Sequence, residues 1–374
     1  MCGAALVLGA VPHTRLVFLC AGYPPAMPDE AVPDYRARAA AGVRALQRWY
    51  APGDLWKTTG WWNAANALTA VVRYARHTND QAYLGVIPAT FSAARRQHAD
   101  FVNWFFDDSG WWALAWVAAY DLTGEERYLA AARTIFTHNV SGWDDVCRGG
   151  VWWNTDRKYK NAITNELFLT LAARLAQRVP EDPQYRDWAL RTWDWLHGSG
   201  MIGPDGLVND GLTPACANNG GITWTYNQGV ILGGLAALHE ITDDVAYLRQ
   251  GESIADAATA TLTDPPGILA EPDERSARRG APLDGDQTQF KGIFVRNLHE
   301  FSSVPGLAAG KAAAYRAFIL ANADSVWANA RDKRDQLGAH WGGPFDTADA
   351  SRQSSALEAL TAAAALVLGW QSWT

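Results

Sequence analysis

Thr123-Gly124-Glu125-Glu126-Arg127-Tyr128-Leu129 decides the fold, because it recurs along the chain. The other full copies read Thr78-Asn79-Asp80-Gln81-Ala82-Tyr83-Leu84 and Thr242-Asp243-Asp244-Val245-Ala246-Tyr247-Leu248. A degenerate copy stands at Glu181-Asp182-Pro183-Gln184-Tyr185. Each full copy has Thr, then an acid two residues on, Tyr five on and Leu six on. The Thr and the acid are expected to cap a new helix, and the Tyr-Leu to open its buried stripe. A repeated supersecondary unit constrains architecture before any site motif does.

Two kinds of helical pattern lie between these signals. One is amphipathic and charged on one side: residues 34–50, 83–96, 125–139, 182–197, 244–262 and 311–331. The other is apolar or small nearly all round, the mark of a buried helix: residues 61–75, 108–122, 162–178, 225–241, 290–301 and 351–370. No region shows the period-two alternation of strands, and Pro and Gly cluster between helices. Twelve helices alternating exposed and buried imply six helical hairpins closed into a ring. The expected fold is therefore all-α, an (α/α)6 barrel forming a single domain over residues 31–374. An open array would need polar caps at its ends, and both terminal helices look ordinary; an open solenoid is the alternative. Turns from inner to outer helices are short. Connections from outer to inner helices are long and rich in aromatics, Asn and Gly, so the N-termini of the inner helices should converge on one cleft.

Composition narrows the function. The chain has 374 residues and a net charge of -7, which argues against nucleic acid or an anionic membrane surface as partner. No apolar run reaches the length of a membrane span. No obligate protein partner is evident. Residues 1–30 read as a separate N-terminal segment, signal-like or disordered; it lacks a basic start, and Pro12, His13 and Arg15 interrupt its apolar run. The protein is secreted or cell-surface if that segment is a signal, and otherwise cytoplasmic. Cys2 and Cys20 lie in this segment. Cys147 and Cys216 lie in loops, and pairing and two free thiols are equally consistent with the sequence. No His/Cys/carboxylate ligand spacing, calcium loop, dinucleotide fingerprint or nucleophile elbow is present, so no metal and no cofactor is expected.

Nineteen tryptophans are the outlier. Three adjacent pairs, Trp61-Trp62, Trp111-Trp112 and Trp152-Trp153, open inner helices or precede them. Adjacent helical residues point in different directions, so both members of a pair seldom enter one core. Trp116, Trp188, Trp193, Trp195 and Trp370 read as core. At the second mouth stand two neighbouring acids, in Phe105-Phe106-Asp107-Asp108-Ser109-Gly110-Trp111-Trp112. One Asp suffices as an N-cap. Two acids flanked by aromatics suit glycoside hydrolysis, which needs an acid/base and a nucleophile or base. The other mouths contribute Asn63, Asn66, Trp152, Trp153, Lys160, Asn161, Asp210, Trp224, Tyr226, Asn227, Gln228, Gln289, Phe290, Lys291 and Trp341. Amides and acids read sugar hydroxyls, and indoles supply platforms. Asn63, Asn66 and Asn165 serve equally well as caps or interhelical glue. Lys160 and Lys291 could be solvated or could pair with Asp210 or Asp286, and a pair is favoured for Lys291.

These motifs resemble those of glycoside hydrolase family 76, the endo-α-1,6-mannanases. The resemblance covers roughly residues 34–370. It rests on Gly60-Trp61-Trp62-Asn63-Ala64-Ala65-Asn66, Asp107-Asp108-Ser109-Gly110-Trp111-Trp112-Ala113-Leu114-Ala115, Gly149-Gly150-Val151-Trp152-Trp153, Tyr159-Lys160-Asn161-Ala162, Trp224-Thr225-Tyr226-Asn227-Gln228-Gly229 and Gln289-Phe290-Lys291-Gly292-Ile293-Phe294. It implies an (α/α)6 barrel and a mannose-containing polysaccharide with an α-1,6 backbone as partner. It implies a retaining mechanism with Asp107 as nucleophile and Asp108 as acid/base. The alternatives are a transglycosylase, another α-glycan-active barrel enzyme, or a non-catalytic glycan-binding barrel. An epimerase would want paired histidines in the cleft, and the sequence shows no such pair.

Overall fold

A computed structural model describes residues 33–274 and 283–369. The expectations for residues 1–30, Cys2, Cys20 and Trp370 lie outside the described residues. Twelve α-helices occupy the described residues of the unit that starts at Asp34. The outer helices are α1 (Tyr35–Leu46), α3 (Val86–Gln97), α5 (Glu126–Ser141), α7 (Pro183–Gly198), α9 (Ala246–Thr261) and α11 (Ala309–Asn329). The inner helices are α2 (Trp61–Thr78), α4 (Phe106–Thr123), α6 (Ala162–Arg178), α8 (Thr225–Thr242), α10 (Gln287–Phe301) and α12 (Ala350–Leu368). Each inner helix packs on the next, and α12 packs back on α2 and α1, so the ring closes. The architecture is the (α/α)6 barrel expected from the alternation. No helix among the described residues is long and apolar enough to cross a membrane.

The recurring turn works differently from the sequence expectation. Its Thr ends the old helix instead of capping the new one: Thr78, Thr123 and Thr242 each donate a hydroxyl to the carbonyl four residues back, at 2.6–2.7 Å. The next residue, Asn79, Gly124 or Asp243, takes the left-handed conformation of a helix C-cap, with φ of 55°, 69° and 60°. The acid shapes the turn, since Asp80 and Asp244 accept the N–H two residues on. Tyr83 precedes α3 instead of lying inside it.

The long connections also hold a feature the sequence pattern concealed. Several open with a small antiparallel hairpin, closed at Tyr50–Trp56, Trp143–Val151, Ile202–Val208, Thr263–Leu269 and Arg331–Leu337. These are one or two residues per side, too short for alternation to register. Side chains on helices then clamp the hairpins. Asn165 holds both the N–H and C=O of Val151, Gln228 those of Val208, and Gln353 accepts from Leu337 N.

Candidate active site

The helix α4 starts at Phe106, with Phe105 as its cap residue and no side-chain cap. Asp107 and Asp108 therefore both lie in the first helical turn, and neither serves as the N-cap. Successive helical residues diverge by about 100°, and the two carboxylates face different flanks. Asp107 Oδ2 accepts from Trp153 Nε1 at 3.0 Å and its Oδ1 from the Asp108 N–H at 3.0 Å. Asp108 Oδ2 accepts from Asn103 Nδ2 at 2.7 Å. Two backbone links fix the flank behind Asp107: Phe106 N donates to Trp153 O at 2.9 Å, and Phe105 bridges Asn154.

Both acids open into one cleft of about 250 Å³ at the N-terminal end of the inner helices. Its lining also takes Trp62, Trp111, Trp153, Tyr159, Asn161, Asp210, Tyr226, Asp286 and Phe290. Trp62 stacks on Trp111 with centroids 5.5 Å apart, and Tyr226 stacks on Phe290 at 3.8 Å. Trp111 also faces Tyr226 at 6.4 Å, which makes the aromatic wall continuous. Opposite, the Tyr159 hydroxyl donates to Asp210, and Asn219 Nδ2 donates to Tyr159 at 3.0 Å. Gly211 permits this, because a Cβ there would occupy the place of the Tyr159 hydroxyl. Asp286 accepts from Trp62 Nε1 at 3.0 Å.

Burial pushes the Asp107 carboxyl well above the usual carboxylate range, and the charge of Asp108 adds to it. The N–H groups of Asp108 and Trp153 pull it back. Burial also pushes Asp108 up to about 6, with Asn103 opposing and the charge of Asp286 reinforcing. Both carboxyls are thus held above the ordinary carboxylate range, and their ionisation steps belong to the pair. Burial raises Asp107 more than Asp108. Asp210 and Asp286 are raised by burial as well, while donors on each, including Tyr159, Trp224 and Trp62, support the charged form.

Nine of the sequence candidates thus meet in the cleft: Asp107, Asp108, Trp62, Trp111, Trp153, Asn161, Asp210, Tyr226 and Phe290. The rest do not line it. Each tryptophan pair divides, one ring to the cleft and one inward. Trp112 is fully buried against Trp116 at 5.4 Å and Trp61 at 4.7 Å. Trp152 donates to Asp144 at 2.6 Å beneath Lys160, and Trp341 is buried under Lys291. The lysines are structural. Lys160 pairs with Asp144, not Asp210, and donates to the carbonyls of Val146 and Gly149. Lys291 pairs with Glu274, not Asp286, and donates to Ala339 O. Gln228 is spent on Val208; Gln289 joins Asn63 to Ser354. Asn66 bonds the Trp62 carbonyl, and Trp224 backs Phe290 edge-on at 5.6 Å. Asn227 is wholly buried, with no partner for its amide among the described residues. Tyr159 and Asp286 were missed as site residues. Tyr159 adjoins Lys160 and Asp286 adjoins the amides Gln287 and Gln289, and the loop geometry turns both into the cleft. Trp116, Trp193 and Trp195 are core as expected, with Trp188 partly buried beside them. A histidine pair does exist, His77 with His299 at 5.2 Å, but near the C-terminal ends of α2 and α10, at the opposite end of the barrel from the cleft.

The fold and cleft define a helical-barrel protein of the carbohydrate-active class. The chain belongs to glycosyl hydrolase family 76, whose sequence profile matches residues 42–368. Among relatives, the mannan endo-1,6-alpha-mannosidase DCW1 of Candida albicans is 28% identical over 263 residues, 64% of this chain and 57% of the relative. The protein of the same name from Saccharomyces cerevisiae is 28% identical over 283 residues, 68% of this chain and 62% of its own. The chain thus spans about 57% to 62% of the length of these relatives. The solved α-1,6-mannanase from Salegentibacter sp. HEL1_6 superposes with a TM-score of 0.79 at 26% identity, covering 88% of this chain and 99% of that one. An inactive variant of that enzyme, with two adjacent aspartates replaced by alanine, was solved in complex with α-1,6-mannotetrose.

Proposed function

We propose that this chain is a retaining hydrolase of α-1,6-mannosidic bonds in a mannan-type backbone, with Asp107 as nucleophile and Asp108 as acid/base. The observation that carries the reading is the pair itself: two carboxyls opening into one aromatic cleft, each with its own partners. In the first step Asp107 attacks the anomeric carbon while Asp108 gives its proton to the departing oxygen. In the second, Asp108 takes a proton from water, and the water oxygen displaces Asp107. Positive charge develops at the anomeric carbon beside Asp107. The reacting form has the proton on Asp108 and Asp107 ionised before the bond breaks, and the developing charge is then stabilised by the Asp107 carboxylate. The donors from Trp153 and from the Asp108 N–H already support the Asp107 anion. The names of the relatives and the tetrose held by the Salegentibacter variant support the same substrate. A non-catalytic glycan binder would have no use for two neighbouring acids both raised by burial.

The test is turnover of α-1,6-mannan by the wild type and by Asp107→Asn and Asp108→Asn. Both variants are expected to fold with an unchanged melting temperature and to release no oligosaccharide. Substantial turnover in either one refutes the assignment.

A further inference from the structure

Tryptophans 62, 111 and 153 line the cleft, and two of these indoles are fixed by hydrogen bonds. Trp62 Nε1 donates to Asp286 and Trp153 Nε1 to Asp107, each at 3.0 Å. The Trp111 indole nitrogen has no such partner among the described residues. Trp111 is nonetheless the middle of the aromatic wall, facing both Trp62 and Tyr226. It stands four residues after Asp107, on the same face of α4. A cation meets it from a third side. The guanidinium carbon of Arg296, on α10, lies over the Trp111 ring, 5.6 Å from its centroid.

Arg296 is buried, with 6% of its surface exposed. Burial pulls its pKa down to about 10, Glu358 opposes this and the charge of Arg73 adds to it, so the group stays charged at neutral pH. A buried cation is costly unless its partners are good. Among the described residues the ion pair of Arg296 is with Glu358, whose Oε1 accepts from Arg296 Nη1 at 3.4 Å. Glu358 also accepts from Arg73 Nε, at the shorter distance of 3.0 Å, and Arg73 is paired with Glu300 besides. Glu358 thus has a counter-ion without Arg296, and ion pairing alone does not call for the second cation. A desolvated guanidinium within about 6 Å of an indole face is attracted to it, and this is the contact that Arg296 makes and Arg73 does not.

We propose that Arg296 is a positioning residue, whose guanidinium, steadied by Glu358, fixes the Trp111 ring in the wall against which a mannose unit packs. This rests on the proposed function, which puts the mannose unit in the cleft. Arg296 acts through Trp111 and takes no part in the bond-breaking steps.

A double-mutant cycle separates this from a purely structural role. kcat/KM on α-1,6-mannotetrose is measured for the wild type, Arg296→Met, Trp111→Leu and the two combined. Arg296→Met is expected to lower kcat/KM about tenfold while Trp111 is present, and less than about twofold once Trp111 is replaced. Arg296→Gln, which keeps a polar group beside Glu358 and loses the charge, is run through the same cycle and is expected to show the same coupling, so the outcome does not hang on the folding of one variant. An equal fall in both backgrounds, or no fall in either, overturns the positioning role and leaves the catalytic assignment standing. A wild type that does not cleave the tetrose overturns the catalytic assignment, and the positioning role with it.

Discussion

At the residue scale, the chemistry turns on how a proton is divided between two neighbours. The diprotonated pair lacks a nucleophile, and it first ionises as pH rises through about 6, the value of Asp108. The fully ionised pair lacks an acid. We therefore expect kcat/KM to rise with pH through about 6 and to fall again at higher pH, when the remaining proton is lost. Trp153→Phe removes an N–H donor from Asp107. Hydrogen bonds to charged groups contribute about 1.5–3 kcal/mol, so kcat/KM should drop about tenfold or more. The alkaline limb should move up, because the Asp107 carboxylate has lost support. A pH–rate profile of both proteins checks this, and an unmoved limb would show that Trp153 does not tune Asp107. The acids themselves were legible from their adjacency and their aromatic setting. The partner that each carboxyl takes was not, because it depends on Trp153 and Asn103 arriving from different loops.

At the scale of the element, amides at the starts of inner helices act as clamps, Gln228 among them although the sequence offered it as a sugar contact. Helix position explains why. Asn165 and Gln228 each stand four residues into an inner helix, facing the hairpin of the preceding loop, and each satisfies both polar groups of one buried valine. An amide looks the same in a sequence whether it binds a hydroxyl or a peptide group. Asn165→Ala leaves two buried backbone groups of Val151 unpaired, a cost of about 1–3 kcal/mol each. A lower melting temperature is expected, together with reduced kcat/KM, since Val151 leads directly to Trp152 and Trp153. Full stability in this variant would mean that the hairpin does not depend on the clamp. The helices themselves were readable to within a few residues, because twelve long apolar or amphipathic runs leave little ambiguity. The tiny hairpins were not, since one or two residues carry no period. At the far end of the barrel, burial and the charge of Arg73 hold His299 neutral, with a value near 3. A depressed histidine contributes stability that is complete above the unfolded value near 6.5 and declines by about 1.4 kcal/mol per pH unit as pH falls toward the folded value. His299→Phe should therefore flatten the dependence of melting temperature on pH between about 6.5 and 3; a curve parallel to the wild type would contradict the buried neutral state.

At the scale of the whole molecule, closure came from the alternation of inner and outer helices, whereas the covalent tie between loops could not be read. The sequence left Cys147 and Cys216 open between pairing and free thiols; the fold brings their loops together as a disulfide across a separation of 69 residues. A loop of that length removes about 4 kcal/mol of unfolded-state entropy. Cys147→Ser/Cys216→Ser is expected to melt about 6 °C lower, and calorimetry of both forms would show it. No change in melting temperature would mean that the bond adds nothing to the barrel. The central claim concerns what the assembled cleft does to one bond. Time-resolved proton NMR of α-1,6-mannotetrose with the wild-type protein tests it most directly. The account expects cleavage in which the newly formed reducing end appears first as the α-anomer and only later equilibrates to the β-anomer. No cleavage, or the β-anomer first, would contradict it.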